Sequence, residues 1–482
     1  MAFSLTTFTD QLRYLPYNEW DNDYKERLNT LADQSPWRLQ YHIEPKVGLL
    51  NDPNGFSYFN GQWQLFYQYY PFGPVHGLKS WFHLTSSNLF HWQEGEIALT
   101  PDNPFDSHGA YSGSAIAIDD QLFMFYTGNV RDENWQRIPY QNGAWMDQAG
   151  HVTKEKLPLI TPPDFVTDHF RDPNIFEFEG EYYALLGAQL RDGNCGVILL
   201  YRVIDQDVKK WEYVGILDIG ESELGYMVEC PAIAFVEGHP VLFFCPQGLA
   251  QDVDPYDNIY PNKYIVAETF DPEHAKLVNP STMQNVDEGF EYYAATTANG
   301  AHEEALSVAW IGGPEMASPT DDYGYQGALS MIRSLSLVDG KLHQTPVVPA
   351  DAFSKAPLII AGTEILEHNH YVLDTTIQPG DSETINFFLG EQDDEGLFLT
   401  VDATSGIVTL DRSHTDYPVS EASGTTRMAQ VTPGESIRVN AYVDESLVEI
   451  YVNEGERVLT GRYFPRAGHT GVKVTQGIVH MF

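Results

Sequence analysis

Residues 51–70, NDPNGFSYFNGQWQLFYQYY, contain the pattern that decides the fold of this chain. They predict a strand, a tight turn at Gly61 and a second strand in which Trp63, Leu65 and Tyr67 share one face. Four further segments repeat the pattern, with turn residues at Asp120, Gly180, Gly238 and Gly300, spaced by 59, 60, 58 and 62 residues. A unit of this size holds four short strands, so the repeat predicts a five-bladed β-propeller.

The chain changes character on either side of the repeats. Residues 20–33 have apolar side chains at helical spacing, and the tail after the repeats reads as many short strands separated by turns, which is typical of a β-sandwich. We therefore predict an all-β protein with a helical segment at 1–36, a propeller at 37–345 and a β-sandwich at 346–482. The proline-rich stretch 346–357 is the predicted hinge between the last two.

Composition excludes several classes of function. The 482 residues include 27 Lys and Arg against 68 Asp and Glu, a net charge of −41, which argues against nucleic acid and anionic membranes as partners. No apolar stretch is long enough to span a bilayer, and the first residues resemble no secretory signal. Three cysteines fit a reducing compartment, so we expect a cytoplasmic protein. The histidines lack metal-ligand spacing, and we expect neither a metal nor a cofactor.

Four repeats place a polar residue at the same point, eight or nine residues before the turn: Asp52, Ser112, Asp172 and Glu229. The fifth repeat has lost this residue. Because the first strand of each blade lines the central channel, these side chains are expected to converge at one end of the axis. A single D-P-N-G reads equally well as an ordinary turn. Three carboxylates in register are costly to bring together unless chemistry uses them.

A convergent pair of carboxylates is what glycoside hydrolysis requires. Asp52 follows Asn51, whose amide can donate to a carboxylate, so we expect Asp52 to be the ionised nucleophile. Glu229 lies in apolar sequence near other carboxylates, which should raise its pKa and suit it to general acid catalysis. Arg171 is expected to keep Asp172 ionised, so that Asp172 can bind sugar hydroxyls.

The motifs NDPNG, YSGSA, FRDP and ECP, in this order and spacing, resemble those of glycoside hydrolase family 32, the invertase and β-fructofuranosidase family. The resemblance covers about residues 37–482. It implies retaining hydrolysis of terminal β-D-fructofuranosides through a fructosyl-enzyme, with Asp52 as nucleophile, Glu229 as acid/base and Asp172 as transition-state stabiliser. Length and the N-terminal segment most resemble the bacterial intracellular sucrose-6-phosphate hydrolases in that family.

The resemblance also suggests substrate contacts. With the aromatic residues expected near the channel, the candidates are Leu49, Leu50, Asn51, Gln68, Tyr111, Ser112, Arg171 and Trp310. Leu49 and Leu50 stand where the family commonly has Trp-Met, and His76 stands near a usual Trp. These departures concern the leaving group rather than the reaction. Trp310 reads equally well as packing between blades.

Several alternatives stay open from sequence alone. A fructo-oligosaccharide hydrolase or a fructosyltransferase would use the same residues. Five-bladed arabinan and xylan hydrolases also converge three carboxylates but invert configuration, and a non-catalytic fructan-binding propeller would need only part of the set. The expected partner is a small sugar, bound by a monomer or homodimer. Loop cations that could hold a substrate phosphate are Arg131, Arg137, Arg191 and Lys79.

Overall fold

The structure is a computed structural model that describes residues 7–300, 304–352, 356–390, 395–415, 417–420 and 423–482. Its strands form a five-bladed propeller followed by a β-sandwich, which confirms the predicted fold class. The predicted hinge at 346–357 lies partly outside the described residues. No helix in the described part of the chain is long and apolar enough to cross a membrane.

Each blade is an antiparallel sheet built outward from the channel. Blade one contains β1 (Gly48–Phe59), β2 (Gln62–Tyr70), β3 (Ser80–Ser86) and β4 (Trp92–Leu99). Blade two contains β5 (Ala110–Ile118), β6 (Gln121–Arg131), β7 (Arg137–Met146) and β8 (Val152–Lys154). Blade three contains β9 (Val166–Phe178), β10 (Glu181–Leu190), β11 (Gly196–Ile204) and β12 (Asp207–Ile216).

The last two blades carry insertions. Blade four contains β13 (Met227–Val236), β14 (His239–Gln247), β15 (Lys263–Val266) and β18 (Gln284–Asn285), interrupted by the hairpin of β16 (Thr269–Asp271) and β17 (Lys276–Val278). Blade five contains β19 (Tyr293–Thr297), β20 (Leu306–Ile311), β23 (Arg333–Val338) and β24 (Lys341–Pro346). The short strands β21 (Tyr325–Gln326) and β22 (Ala328–Leu329) pair with β1 and β20.

The innermost strands contact one another in a closed ring, from β1 through β5, β9 and β13 to β19 and back to β1. Asn299, at the end of the fifth inner strand, helps to close it. Its backbone N–H donates to Phe56 O at 3.0 Å, and its side-chain amide donates to Ala115 O and Ile175 O at 2.9 and 2.8 Å. One side chain therefore links the inner strands of blades two and three to blade five.

The C-terminal strands form one continuous ten-stranded sheet that folds over a shared apolar core. They are β25 (Leu358–Ile365), β26 (His370–Ile377), β27 (Ser382–Leu389), β28 (Leu397–Asp402), β29 (Ile407–Asp411), β30 (Thr426–Gln430), β31 (Ile437–Asp444), β32 (Leu447–Val452), β33 (Arg457–Arg462) and β34 (Gly471–Met481). The strict alternation of buried positions in β28 and β31 reflects a sheet with one face on the core.

The predicted N-terminal helix forms at Asn22–Ala32, where the Asp21 carboxylate accepts from Asp23 N and caps the first turn. A short helix at Asp10–Arg13 precedes it, and 3₁₀ turns occur at Tyr17–Glu19, Pro272–His274 and Pro319–Tyr323. This N-terminal segment covers part of blade one, because Trp20 packs with Leu49, Tyr70 and Phe72.

Buried ionic groups join the propeller to the sandwich. Arg333 on β23 donates to Glu449 on β32 at 2.7 Å and to Asp287 at 2.9 Å, and His42 lies 2.9 Å from Asp444 and 3.0 Å from Glu449. Because breaking a buried ion pair leaves an uncompensated charge, these contacts hold the two bodies in one arrangement.

Candidate active site

Every innermost strand carries a β-bulge at the same height. The register shifts fall between Leu50 and Pro53, Ala110 and Gly113, Arg171 and Asn174, Glu229 and Ala232, and Tyr293 and Thr296. In three of these bulges a non-glycine residue adopts a left-handed backbone: Asp172 (φ 65°), Cys230 (φ 48°) and Ala294 (φ 54°). A bulge re-aims a side chain out of the regular alternation, and this is how the predicted polar residues reach the axis.

Asp52 is anchored by three side chains from the first two blades. Its Oδ2 accepts from Ser112 Oγ at 2.5 Å and from Gln68 Nε2 at 3.3 Å, and its Oδ1 accepts from Asn51 Nδ2 at 3.2 Å. Gln68 also donates to Ser112 Oγ. These contacts fix the carboxylate in one orientation, as a nucleophile requires.

Lys79 supports this arrangement from behind. Its ammonium is buried and donates to Asn51 Oδ1, which turns the Asn51 amide nitrogen toward Asp52 and toward Gln68 Oε1 at 3.2 Å. Burial lowers the pKa of Lys79 to about 7, although the Asp52 charge opposes this. Lys79 is thus committed to the site's interior and does not reach into solvent for a ligand.

Glu229 has hydrogen-bond donors on both oxygens. Arg171 donates to Oε1 from Nη2 at 2.6 Å and from Nε at 3.0 Å. Gln247 Nε2 and the Tyr293 hydroxyl donate to Oε2 at 2.6 and 2.7 Å. Both oxygens of the carboxylate are therefore satisfied by protein donors.

Asp172 is close enough to the other two acids for both charges to raise its pKa. Its Oδ2 accepts from Cys230 N at 3.0 Å, and its own N–H donates to Thr127 Oγ1 at 2.9 Å. Cys230 Sγ lies 3.6 Å from Asp172 Oδ2 and 3.8 Å from Asp52 Oδ2. The predicted convergence of carboxylates from three blades is thus present, with the Cys230 thiol between two of them.

The charges distribute differently from the sequence expectation. Burial raises the pKa of Asp52, opposed by the Ser112 hydrogen bond, and burial raises the pKa of Asp172 to about 7 in spite of Arg171. Burial would also raise the pKa of Glu229, but the Arg171 charge and its hydrogen bonds hold that pKa below its ordinary value.

Arg171 does lower the pKa of Asp172, as expected, but it does not overcome burial, and its shorter contact is with Glu229. Its guanidinium pairs with Glu229 at 2.6 Å, whereas its nearest approach to Asp172 is 3.9 Å. Adjacency in sequence misled because consecutive residues of a strand point to opposite faces, and the bulge at Asp172 adds a further turn. The apolar sequence around Glu229 likewise hid polar partners that come from neighbouring strands.

Two further candidates, Tyr111 and Trp310, contact other residues around the site. Tyr111 O accepts from Trp81 Nε1 at 2.9 Å, and the phenol of Tyr111 lies within the electrostatic reach of Arg137. Trp310 is almost fully buried, with its ring 6.4 Å from that of Tyr293 and 6.3 Å from that of His76. Its Nε1 has no hydrogen-bond partner within the described ranges of the chain.

Leu49 and Leu50 do not join this group. Leu49 packs with Trp20 and Tyr70 under the N-terminal segment, and Leu50 packs with Trp310 in the core of blades one and five. Both are almost without accessible surface, so neither can touch a sugar in this structure. The sequence placed them in the site because they directly precede Asn51, but β1 is covered on both faces here.

Sequence reasoning missed Tyr293, Gln247 and the positioning role of Lys79. Tyr293 lies in the fifth bulge, so it occupies in its blade the place that Glu229 occupies in blade four. The search for an acidic residue at that point overlooked a phenol. Gln247 ends the second strand of blade four, much as Gln68 lies near the end of the second strand of blade one. Comparing second strands would have found it.

The geometry provides one carboxylate held by three donors, a second with a guanidinium partner and a third acid that binds protons near neutral pH. Two acids with separated roles around one funnel are suited to cleaving a glycosidic bond. Among the described residues, no three His, Cys, Asp or Glu side chains are grouped as a metal site.

Comparison with known families agrees with this chemistry. Residues 42–346 match the model described as "Glycosyl hydrolases family 32 N-terminal domain", and residues 342–478 match "Glycosyl hydrolases family 32 C terminal". Together these matches span most of the chain.

Individual relatives are similar over nearly their full length. The sucrose-6-phosphate hydrolase of Streptococcus mutans is 46% identical, covering 97% of this chain and 96% of the relative, and that of Lactococcus lactis is 42% identical, covering 96% of each. The solved sucrose-6-phosphate hydrolase of Lactobacillus gasseri superposes with a TM-score of 0.95 at 38% identity, covering 99% of both chains. The Bombyx mori β-fructofuranosidase gives a TM-score of 0.80 at 27% identity, covering 96% of this chain and 98% of that one.

Proposed function

This chain belongs to family 32 of the glycosyl hydrolases and is a glycoside hydrolase, and from that premise we propose that it releases fructose from sucrose 6-phosphate and from sucrose. The observation that carries the proposal is the convergence of Asp52, Asp172 and Glu229 from three blades, each with its own set of partners. A binding module would have no need of a carboxylate clamped by three donors beside an arginine-paired acid.

The proposed reaction has two steps. Asp52 attacks the anomeric carbon of the fructosyl unit while Glu229 gives a proton to the departing glycosidic oxygen, which leaves a covalent fructosyl-enzyme. Glu229 then takes a proton from water, and the resulting hydroxide equivalent displaces Asp52 to give fructose with retained configuration. Asp172 holds fructosyl hydroxyls in both steps.

The proton must move before the first step. Glu229 is held ionised by Arg171, while Asp172, with a pKa of about 7, retains a proton near neutral pH. Hydroxyls that donate to Asp172 favour its ionised form. Arg171 Nε already lies 3.9 Å from Asp172 Oδ2, so the guanidinium can follow the charge as Glu229 becomes protonated. Substrate binding would thus place the proton where the leaving group needs it.

Similarity supports the choice of substrate. The Streptococcus mutans, Lactococcus lactis and Lactobacillus gasseri proteins are all named sucrose-6-phosphate hydrolases. Hydrolysis of fructo-oligosaccharides and transfer to a sugar acceptor use the same fructosyl-enzyme, and they remain the alternatives.

The wider proposal concerns location and organisation. A phosphorylated disaccharide does not cross a bilayer unaided because its charge would be desolvated, so we place the enzyme in the cytoplasm. We assign the reaction to residues 37–345 and a supporting role to residues 346–482, with 1–36 covering blade one. A monomer or homodimer remains the predicted assembly.

Substitution of the nucleophile tests the proposal. Asp52→Asn should lower kcat for sucrose and sucrose 6-phosphate by about a thousandfold or more, because the amide cannot form the covalent intermediate. Asp120→Asn, in the equivalent hairpin of blade two but exposed in its turn, is the matched control and should keep wild-type kcat. Near-normal turnover by the Asp52 variant would overturn the assignment. Wild-type enzyme that cleaves neither sugar would overturn the proposed function.

A further inference from the structure

Two arginines face each other at the outer end of the hairpin in blade two. Arg131 is the last residue of β6, Arg137 is the first of β7, and the two are directly paired in register. Like charges opposite each other on neighbouring strands are unfavourable. A protein that carries 68 acidic residues against 27 basic ones would more easily place a carboxylate here.

Neither guanidinium is paired with a carboxylate in the part of the chain that the structure describes. No carboxylate of the described residues lies within 4 Å of the side-chain nitrogens of Arg131 or Arg137. Both Nε atoms are buried and have no hydrogen-bond partner among the described residues, whereas Arg131 Nη1 donates to Trp135 O at 3.2 Å. Buried donors without partners are costly, so their retention points to an anionic ligand that satisfies them.

The nearby acids are occupied elsewhere or stand apart. Asp132 Oδ1 accepts from Asn134 N and Gln136 N at 2.8 Å each, which orders the hairpin turn. Asp168 attracts Arg137 electrostatically but forms no ion pair with it. The two arginines therefore keep an unneutralised positive charge.

The pair lies near Glu229, the proposed proton donor to the leaving group. The charge of Arg137 acts on Glu229, which protonates the leaving group, and on the neighbouring Arg171. His169 connects them, because its Nδ1 lies 3.0 Å from Arg171 Nη1 and its ring is influenced by Arg137. Tyr111 lies close to both arginines. It directly precedes Ser112 on β5.

We propose that Arg131 and Arg137 form a subsite for a phosphate monoester carried by the leaving-group sugar. The inference rests on the proposed function and adds to it the residues that recognise the phosphate. Paired guanidinium groups suit this ligand because their planar, forked donors match phosphate oxygens. Bound in this way, a phosphate would satisfy the free Nε donors and relieve the repulsion between the two side chains.

The other loop cations do not compete for this role. Arg191 donates to two backbone carbonyls, Asp164 O at 3.2 Å and Val166 O at 2.6 Å, and so ties down its own loop. Lys79 is buried against Asn51. Of the four cations that the sequence suggested, Arg131 and Arg137 are the two whose buried Nε has no partner among the described residues.

The ratio of kcat/KM for sucrose 6-phosphate to that for sucrose tests the subsite. Wild-type enzyme should prefer the phosphate at least tenfold, and Arg137→Gln or Arg131→Gln should lower the ratio at least tenfold, about 1.4 kcal/mol. Arg191→Gln is the matched control and should leave the ratio within twofold of wild type. The preference should also weaken as salt is raised, because added ions screen the attraction.

A second measurement needs no variant. Glucose 6-phosphate should inhibit sucrose hydrolysis by the wild-type enzyme at least tenfold more tightly than glucose does. Equal inhibition, or a substrate ratio that neither substitution changes, would overturn the subsite while the proposed hydrolysis stands. Failure of the wild-type enzyme to cleave either sugar would instead overturn the proposed function.

Discussion

Asp172 combines two unfavourable features, a left-handed backbone and a buried carboxyl group. It adopts a left-handed backbone with φ of 65°, is buried near two other carboxylates, and its Oδ2 accepts from Cys230 N. A non-glycine residue in that conformation costs on the order of 1–3 kcal/mol. The surrounding bulge and the neighbouring blades must therefore hold it in place.

We expect Asp172→Asn to stabilise the protein at pH 8. The folded-state pKa is about 7 against an unfolded value near 3.8, so the stabilising effect of its protonated form is complete below pH 3.8 and is lost as pH rises through 7. An amide, which never ionises, should raise the free energy of unfolding at pH 8 by on the order of 2–4 kcal/mol.

Urea unfolding at pH 8 and at pH 4 measures this effect. At pH 4 the wild-type carboxyl is mostly protonated in the folded protein, and the advantage of the variant should largely disappear. If the variant is no more stable than wild type at pH 8, the pKa of the Asp172 carboxyl group is not raised by burial.

At the scale of elements, the five bulged inner strands show how much of the candidate site could be predicted from the sequence. The turn spacing and the polar residues eight or nine positions earlier were visible, and they located Asp52, Ser112, Asp172 and Glu229 correctly on the inner strands. Those features are local, since they depend on strand period and turn chemistry within one blade.

Features that depend on contacts between blades could not be read in this way. The Arg171–Glu229 pair joins blades three and four, and the Tyr293 hydroxyl reaches Glu229 from blade five. The pKa of a buried acid depends on such partners. The pKa of Glu229 is therefore lowered, whereas its local sequence predicted a raised pKa. Leu49 was misplaced for the same reason, because the N-terminal segment that covers it is distant from the motif.

At the scale of the molecule, the propeller is fixed to the sandwich by charge rather than by apolar contact alone. His42 Nδ1 and Nε2 lie 2.9 and 3.0 Å from Asp444 and Glu449, all three being buried. Burial alone would lower the pKa of His42, but the two carboxylates raise it to about 9. The imidazolium, hydrogen-bonded through both ring nitrogens, therefore contributes most to the stability of the folded protein near or below neutral pH.

Stability should accordingly fall on the alkaline side. Because the folded-state pKa of His42 lies above its unfolded value of 6.5, its contribution is complete below pH 6.5 and is lost as pH rises through 9, a change of about 3 kcal/mol. The melting temperature of wild-type enzyme should drop between pH 6.5 and 9.5, and His42→Gln should flatten this decline.

His274→Gln is the control for this experiment. His274 pairs with Asp271 at the surface, remote from the domain junction, and its replacement should leave the pH dependence of melting as in wild type. The junction would be shown not to depend on a charged His42 if His42→Gln and wild type lost stability in parallel over this range.

The most direct test of the chemistry is to trap the fructosyl-enzyme in the Glu229→Gln variant with β-D-fructofuranosyl fluoride. Fluoride needs no acid to depart, whereas water needs Glu229 as a base, so the intermediate should accumulate. We expect peptide mass spectrometry to find one fructosyl unit on the peptide that contains Asp52, and none when the Asp52→Asn substitution is added. Two results would contradict Asp52 as the nucleophile. One is fluoride release without an adduct, giving fructose with inverted anomeric configuration, and the other is an adduct on another residue.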